Sequence, residues 1–200
     1  DQRHAELIVR TLGLESAKPV STPGEKKKAS DVLANMSLPV VSRERITLFR
    51  SLVMRAAYLS QDRGDLTDSV KCLARKMTGP TEEDFQDLKR LARFLKGKPR
   101  VVLRYEPQRM YKECTIFTDS DHAGCLRTRR STSGTIVMMG NHCVKAASGL
   151  QSTISLSSGE SEFYATVKAA AVGLQMRSLL LDWGYDVAVS VHTDSSAAIG

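Results

Sequence analysis

The hydrophobic period changes near residue 100, and no other feature constrains the fold of this chain so strongly. As far as Leu95, apolar residues recur at three- and four-residue spacing; from Val101 on they alternate or run together. The first pattern is that of helices with one buried face and the second that of strands. Residues 1–14 predict a helix closed by Gly13, 43–62 an amphipathic helix broken by Gly64, and Thr67 to Met77 a further helix. Thr81-Glu82-Glu83-Asp84 predicts a capped start with acids in the first turn, and that helix runs to Gly97-Lys98-Pro99. Val101–Tyr105 and Thr115–Thr118 then read as strands. Thr135–Gly140 and His142–Ala147 read as a hairpin around Gly140-Asn141, with Ser152–Leu156 continuing its second arm or forming a third. A long Ala- and Leu-rich helix over 159–182, a strand over Val187–Val191 and a helix begun at Ser195 complete the order. This is an α/β layer behind a helical front section.

Between the first two helical patterns lies Lys18-Pro19-Val20-Ser21-Thr22-Pro23-Gly24-Glu25-Lys26-Lys27-Lys28, whose prolines, glycine and lysine run predict a solvated linker. The net charge of +7 is uneven. Residues 1–110 carry 22 Lys/Arg against 14 Asp/Glu, whereas residues 111–200 carry 7 against 8. A basic half joined to a half with clustered acids suits a polyanion held by one part and cut by the other. A Lys/Arg-rich helical surface kept for solubility gives the same balance. Arg90, Arg93 and Lys96 stud the far side of their helix as candidate nucleic-acid contacts. No apolar stretch approaches the length of a membrane span, and the start lacks a signal-peptide pattern. The first residue is Asp1, not Met, from which a fragment of something longer is expected. Four scattered cysteines (72, 114, 125 and 143) form no C-x-x-C pair and predict free thiols in a reducing compartment.

Three acidic stations carry the chemistry: Thr118-Asp119-Ser120-Asp121, Ser158-Gly159-Glu160-Ser161-Glu162 and His192-Thr193-Asp194-Ser195. Two follow strand-like runs and one opens the long helix, so their carboxylates can meet at one edge of a sheet. Carboxylates without a His or Cys partner suit hard cations such as Mg²⁺ or Mn²⁺. In a basic protein that combination points to metal-assisted phosphodiester cleavage. The two glutamates differ. Ser157-x-x-Glu160 fits a capping box, in which the glutamate reaches back to the cap's own N–H. Glu162 lies about 200° further around the helix and has no such local role, which makes it the better ligand candidate. Asp119 and Asp121 equally fit a turn at a strand end, and Asp194 fits a helix N-cap. His122, His142 and His192 lack the i, i+4 spacing of a zinc helix, and no serine sits in a nucleophile elbow.

Thr118-Asp119-Ser120-Asp121-His122-Ala123-Gly124, Arg129-Arg130-Ser131-Thr132-Ser133-Gly134 and the run from Gln151 through Ser157-Ser158-Gly159-Glu160-Ser161-Glu162-Phe163-Tyr164-Ala165 resemble the ribonuclease H domain of copia-type retrotransposon Pol polyproteins. His192-Thr193-Asp194-Ser195-Ser196 is similar to that family's third acidic station. Phe49-Arg50-Ser51-Leu52-Val53 and Pro80-Thr81-Glu82-Glu83-Asp84 through Gly97 resemble its helical connection, and Pro19-Val20-Ser21-Thr22-Pro23 resembles the trailing edge of its polymerase. The resemblance implies a ribonuclease H-like mixed sheet with flanking helices, preceded by a helical connection segment. Implied domains are 1–30 (end of reverse transcriptase and linker), 31–110 (connection) and 111–200 (ribonuclease H-like), with the family's fourth acidic residue expected beyond Gly200. Asp119, Glu162 and Asp194 are the implied catalytic and metal-binding acids; in related nucleases the helix acid precedes an x-x-Ala step, as Glu162 does and Glu160 does not. The implied cofactors are two Mg²⁺ (or Mn²⁺) ions about 3.5–4 Å apart. The implied substrate is the RNA strand of an RNA–DNA hybrid, known by its 2′-hydroxyls, with Arg129 and Arg130 on its backbone. An upstream polymerase domain of the same polyprotein is the expected partner. No membrane is expected, and the expected location is intracellular, in a cytoplasmic particle, the nucleus or both. The alternative is a catalytically inactive nucleic-acid-binding remnant of such an element. Position 122 is His where the family usually has Trp, and residues 144–150 lack its usual Trp and Lys.

Overall fold

A computed structural model describes residues 2–109 and 112–196. The chain divides into two compact units, Asp1–Leu103 and Arg104–Gly200.

The first unit is helical: α1 (Gln2–Thr11), α2 (Ala29–Met36), α3 (Arg43–Leu59), a 3₁₀ turn (Gly64–Leu66), α4 (Thr67–Ala74) and α5 (Glu82–Gly97). Its core follows the three- and four-residue spacing, with Ala5 and Ile8 of α1, Phe49, Leu52 and Ala56 of α3, and Leu88, Leu91 and Leu95 of α5 buried together. Phe49 and Phe85 meet edge to face at 5.2 Å, a geometry that adds to their burial. Gly13 closes α1 at φ +65°, where a side chain would be strained.

Helix α5 begins as its residues predict. Thr81 Oγ1 accepts from the Asp84 backbone N–H at 3.3 Å and the Asp84 carboxylate accepts from the Thr81 N–H at 2.9 Å, a reciprocal cap. That cap also explains α2, which the hydrophobic pattern does not reveal because the helix buries no residue. Asn35 near its C-terminal end donates to Asp84 at 2.9 Å and accepts from the Thr81 hydroxyl, so α2 is docked by one amide on the cap of α5.

The stretch expected as a solvated linker is largely exposed, and it is also tethered to α5. Arg93 Nε donates to the Lys18 carbonyl at 2.7 Å, Lys96 Nζ to the Ala17 carbonyl at 2.6 Å and Arg90 Nη2 to Thr22 Oγ1 at 2.9 Å. Arg90 pairs with Glu25 and Lys27 with Asp87. The strand expected over Val101–Tyr105 does not form: the segment carries no regular structure, and Val101, Val102 and Leu103 are all exposed. An apolar run makes a strand only if another strand pairs with it, and none does among the described residues.

The second unit is built on a four-stranded mixed sheet of order β3-β2-β1-β4, from β1 (Glu113–Asp121), β2 (Thr132–Met139), β3 (His142–Leu150) and β4 (Ala188–His192). Strands β1, β2 and β3 form an antiparallel meander turning at Gly140 (φ +59°), and β4 pairs parallel with β1. A bulge between Val137 and Met138 places Val144 as the extra residue of β3. Helix α6 (Ser158–Asp182) makes the crossover from β3 to β4. This is the expected ribonuclease H-like arrangement, a mixed sheet flanked by helix. Ser152–Leu156 adds no strand; it forms the loop that leads into α6. The helix expected from Ser195 on runs outside the described residues beyond Ser196.

The period-2 pattern decides which face α6 covers. Cys114, Ile116 and Thr118 of β1 and Ser133, Thr135 and Val137 of β2 are buried; burial pushes the Cys114 thiol above its ordinary range. No disulfide joins the four cysteines. Helix and sheet lie close together at Gly173, where an added Cβ would lie 2.4 Å from Val189 Cγ1 and 2.5 Å from Ile116 Cδ1. Gly173→Leu is therefore expected to destabilise the unit by about 3 kcal/mol through overpacking, outweighing the roughly 1 kcal/mol gained in helix propensity. Urea denaturation would show it, and an unchanged midpoint would mean that α6 does not sit this close to the sheet.

Candidate metal centre

The parallel pairing of β1 and β4 determines where the acids go. Phe117 lies opposite His192, so two residues further along, Asp119 and Asp194 reach the same edge side by side. Helix α6 brings its first turn to that edge. Thr118 Oγ1 bonds the Gly134 and Ala165 carbonyls at 3.0 and 3.3 Å, and Ser120 Oγ lies 2.8 Å from Ser161 Oγ. One carboxylate oxygen from each of Asp119, Glu162 and Asp194 lies within 4.8 Å of the others. Asp119 and Asp194 are exposed, while Glu162 is only 9 % exposed.

The two oxygens of Glu162 are not equivalent. Oε1 accepts from the Ser120 N–H at 3.2 Å and from Ser120 Oγ at 3.0 Å. Oε2 is buried and has no hydrogen-bond partner. A buried carboxylate oxygen without a donor is costly, and a cation at the cluster would satisfy it. Three carboxylates with no nitrogen or sulfur donor fit a hard divalent ion.

Glu160 has a different job. The Ser157 hydroxyl accepts from the Glu160 N–H at 3.1 Å, and Glu160 Oε2 accepts from the Leu156 N–H at 2.7 Å. The return bond reaches one residue before the cap, not the cap's own N–H. Asp121 is not in the cluster; its carboxylate lies against Gly124, where a Cβ would come within 1.8 Å of Oδ2. Arg129 and Arg130 are exposed on the turn between β1 and β2, with Arg129 at φ +55°. Arg90, Arg93 and Lys96 belong to the first unit and hold its 17–25 stretch. His192 lies tilted against Phe117 and His142 meets Tyr105 edge to face, and neither joins the acids.

Sequence reasoning missed the neutral residues behind the cluster. Gln151 Nε2 donates to Ser133 Oγ at 3.0 Å and to the Ser161 carbonyl at 2.8 Å, while Gln151 Oε1 accepts from Ser155 Oγ at 3.0 Å. All four are buried. The only signal was the polar character of a stretch that folds inward; neutral hydrogen-bonding side chains carry no period that marks them as interior.

Comparison with known proteins places the chain. It is 34 % identical over 169 residues to the uncharacterized mitochondrial protein AtMg00810 of Arabidopsis thaliana, matching 84 % of this chain and 68 % of that protein. It is 30 % identical over 182 residues to the retrovirus-related Pol polyprotein from transposon RE1 of Arabidopsis thaliana, matching 90 % of this chain. The chain is homologous to retrotransposon Pol polyproteins over most of its length. The Pol polyprotein from transposon RE2 of the same plant is again 30 % identical, over 179 residues. The chain spans 12 % of the length of each of these two polyproteins. No protein-family model and no solved structure matches it. Within this Pol relative, no helix of the described residues is long and apolar enough to cross a membrane.

Proposed function

We propose that this chain acts as the ribonuclease H segment of a Pol polyprotein, cutting the RNA strand of RNA–DNA hybrids endonucleolytically with divalent metal. The observation that carries the reading is the buried, unpartnered Glu162 Oε2 within a cluster of three carboxylates. Asp119, Glu162 and Asp194 would hold Mg²⁺ or Mn²⁺, two ions in the proposed arrangement. Bound there, such cations activate water and neutralise charge at the scissile phosphate.

The residues of the chain do the rest. Glu162, anchored by Ser120, is the fixed wall of the site. Asp119 and Asp194 are the exposed side, open to a phosphodiester. Arg129 and Arg130, on the turn that follows β1, would meet the hybrid's backbone, where guanidinium groups pair well with phosphate. An upstream polymerase domain would supply the hybrid.

The test is cleavage of an RNA-labelled hybrid in Mg²⁺ by the whole chain and by Asp119→Asn. Wild type is expected to cut the hybrid, to leave duplex DNA intact and to lose its activity with EDTA, while the variant is inert. Equal cutting by both would remove the assignment to this site. Salt-dependent hybrid binding without cleavage, even in Mn²⁺, would leave a nucleic-acid-binding protein and no nuclease.

A further inference from the structure

The geometry of Glu162 is set by residues that carry no charge. Its Oε1 is held by two donors from one residue, the N–H and the hydroxyl of Ser120 at 3.2 and 3.0 Å. The backbone donor cannot leave and the hydroxyl can. Ser120 Oγ also lies 2.8 Å from Ser161 Oγ, which in turn lies 2.7 Å from the Ser158 carbonyl. Ser161 is fully buried in the first turn of α6, next to Glu162. Its carbonyl accepts from Gln151 Nε2 at 2.8 Å. The same amide donates to Ser133 on β2 and accepts from Ser155, and the Gln151 N–H donates to the Ser131 carbonyl at 2.8 Å. One glutamine thus joins β2, the loop before α6 and the first turn of α6, with 8 % of its surface exposed.

We infer that Ser120 and Gln151 are positioning residues: Ser120 occupies Glu162 Oε1 so that Oε2 alone is presented to a cation, and Gln151 fixes the helical turn that carries Glu162. The inference rests on the proposed cation site. Ligating carboxylates are oriented by outer hydrogen bonds, and losing such a partner costs metal affinity, typically ten- to a hundredfold. Without the Ser120 hydroxyl, Oε1 keeps only the longer backbone bond and the carboxylate is free to rotate. Without the Gln151 amide, the turn loses its link to β2.

Mn²⁺ is the probe, titrated by calorimetry and by electron paramagnetic resonance into the full chain, with thermal unfolding recorded for each variant. Wild type is expected to bind and Asp119→Asn to bind far more weakly. Ser120→Ala is expected to bind about tenfold more weakly with its melting temperature unchanged. Gln151→Glu keeps the shape but sets an acceptor against the Ser161 carbonyl; it is expected to weaken Mn²⁺ by a similar factor. If Gln151→Glu fails to fold, Ser120→Ala decides. Wild-type affinity in Ser120→Ala, with Asp119→Asn impaired, overturns the positioning role and leaves the cation site standing. Equal Mn²⁺ binding by wild type and Asp119→Asn overturns both.

Discussion

Glu162→Gln is expected to lower hybrid cleavage about a thousandfold, while Glu160→Gln cuts at close to the wild-type rate. The two side chains are two residues apart on one helix turn and differ only in surroundings. Glu162 places a buried oxygen without a partner beside two other acids. Replacing it with an amide removes a formal charge and puts either an NH₂ group or a neutral oxygen where the cation should sit. A metal's contribution to phosphoryl chemistry is several kcal/mol, and each 1.4 kcal/mol is tenfold in rate, which gives the expected factor. Glu160 Oε2 accepts a single backbone N–H at a helix start, from Leu156. Glutamine retains an oxygen for that bond, so the cost is within about 1 kcal/mol of stability and nothing in rate. Single-turnover cleavage with saturating Mg²⁺ measures both. Comparable losses in the two variants would mean that the carboxylates act through net charge and not through position.

That separation was legible in the residues because a helix cap is a local pattern, although the return bond from Glu160 falls on Leu156 and not on the cap itself. The approach of Asp119 and Asp194 was legible for a similar reason, since both follow strand-like runs that can lie parallel. What lies behind them was not. Gln151, Ser133 and Ser155 have no spacing that separates an interior hydrogen-bonding residue from an exposed one, and their partners come from β2 and α6. Val101–Tyr105 misled in the opposite way: its apolar run satisfies every local rule for a strand but finds no strand to pair with. In the first unit, α2 escaped notice because it is docked by Asn35 and not by a buried apolar face. Arg90, Arg93 and Lys96 look like a free basic surface in sequence; in the fold they donate to two carbonyls and a hydroxyl of a distant stretch. Charge in sequence therefore overstates what the first unit leaves available to a polyanion.

The first unit should owe part of its stability to one carboxylate, and removing it is expected to cost about 3 kcal/mol. Asp84 is 3 % exposed and accepts from the Thr81 N–H at 2.9 Å, from Asn35 Nδ2 at 2.9 Å and from Lys76 Nζ at 2.6 Å. Burial opposes its ionisation, but the bonds from Lys76 and the Thr81 N–H prevail and hold its carboxyl below the usual range. Burial likewise opposes the charge on Lys76, yet its bonds to Asp84 and Asp87 raise it above an ordinary lysine. The signs follow from linkage. A depressed carboxyl stabilises the fold fully above its unfolded value, about pH 4, and that contribution is lost as pH falls below it through the folded value. A raised lysine stabilises fully below about pH 10.4 and loses its contribution as pH rises through its higher folded value. Breaking a buried pair costs about 3–5 kcal/mol when a charge is stranded. Lys76 is part-exposed and keeps Asp87 at 3.1 Å, so the pair term falls below that range, while losing the bond from the Thr81 N–H adds about 1 kcal/mol. Urea denaturation of Asp84→Ala at neutral pH measures the loss. The same titration repeated from about pH 5 down to pH 2 should show wild type losing more stability than the variant, because the variant has no Asp84 left to protonate. Parallel acid profiles would show that the acid sensitivity of the fold resides in other carboxylates.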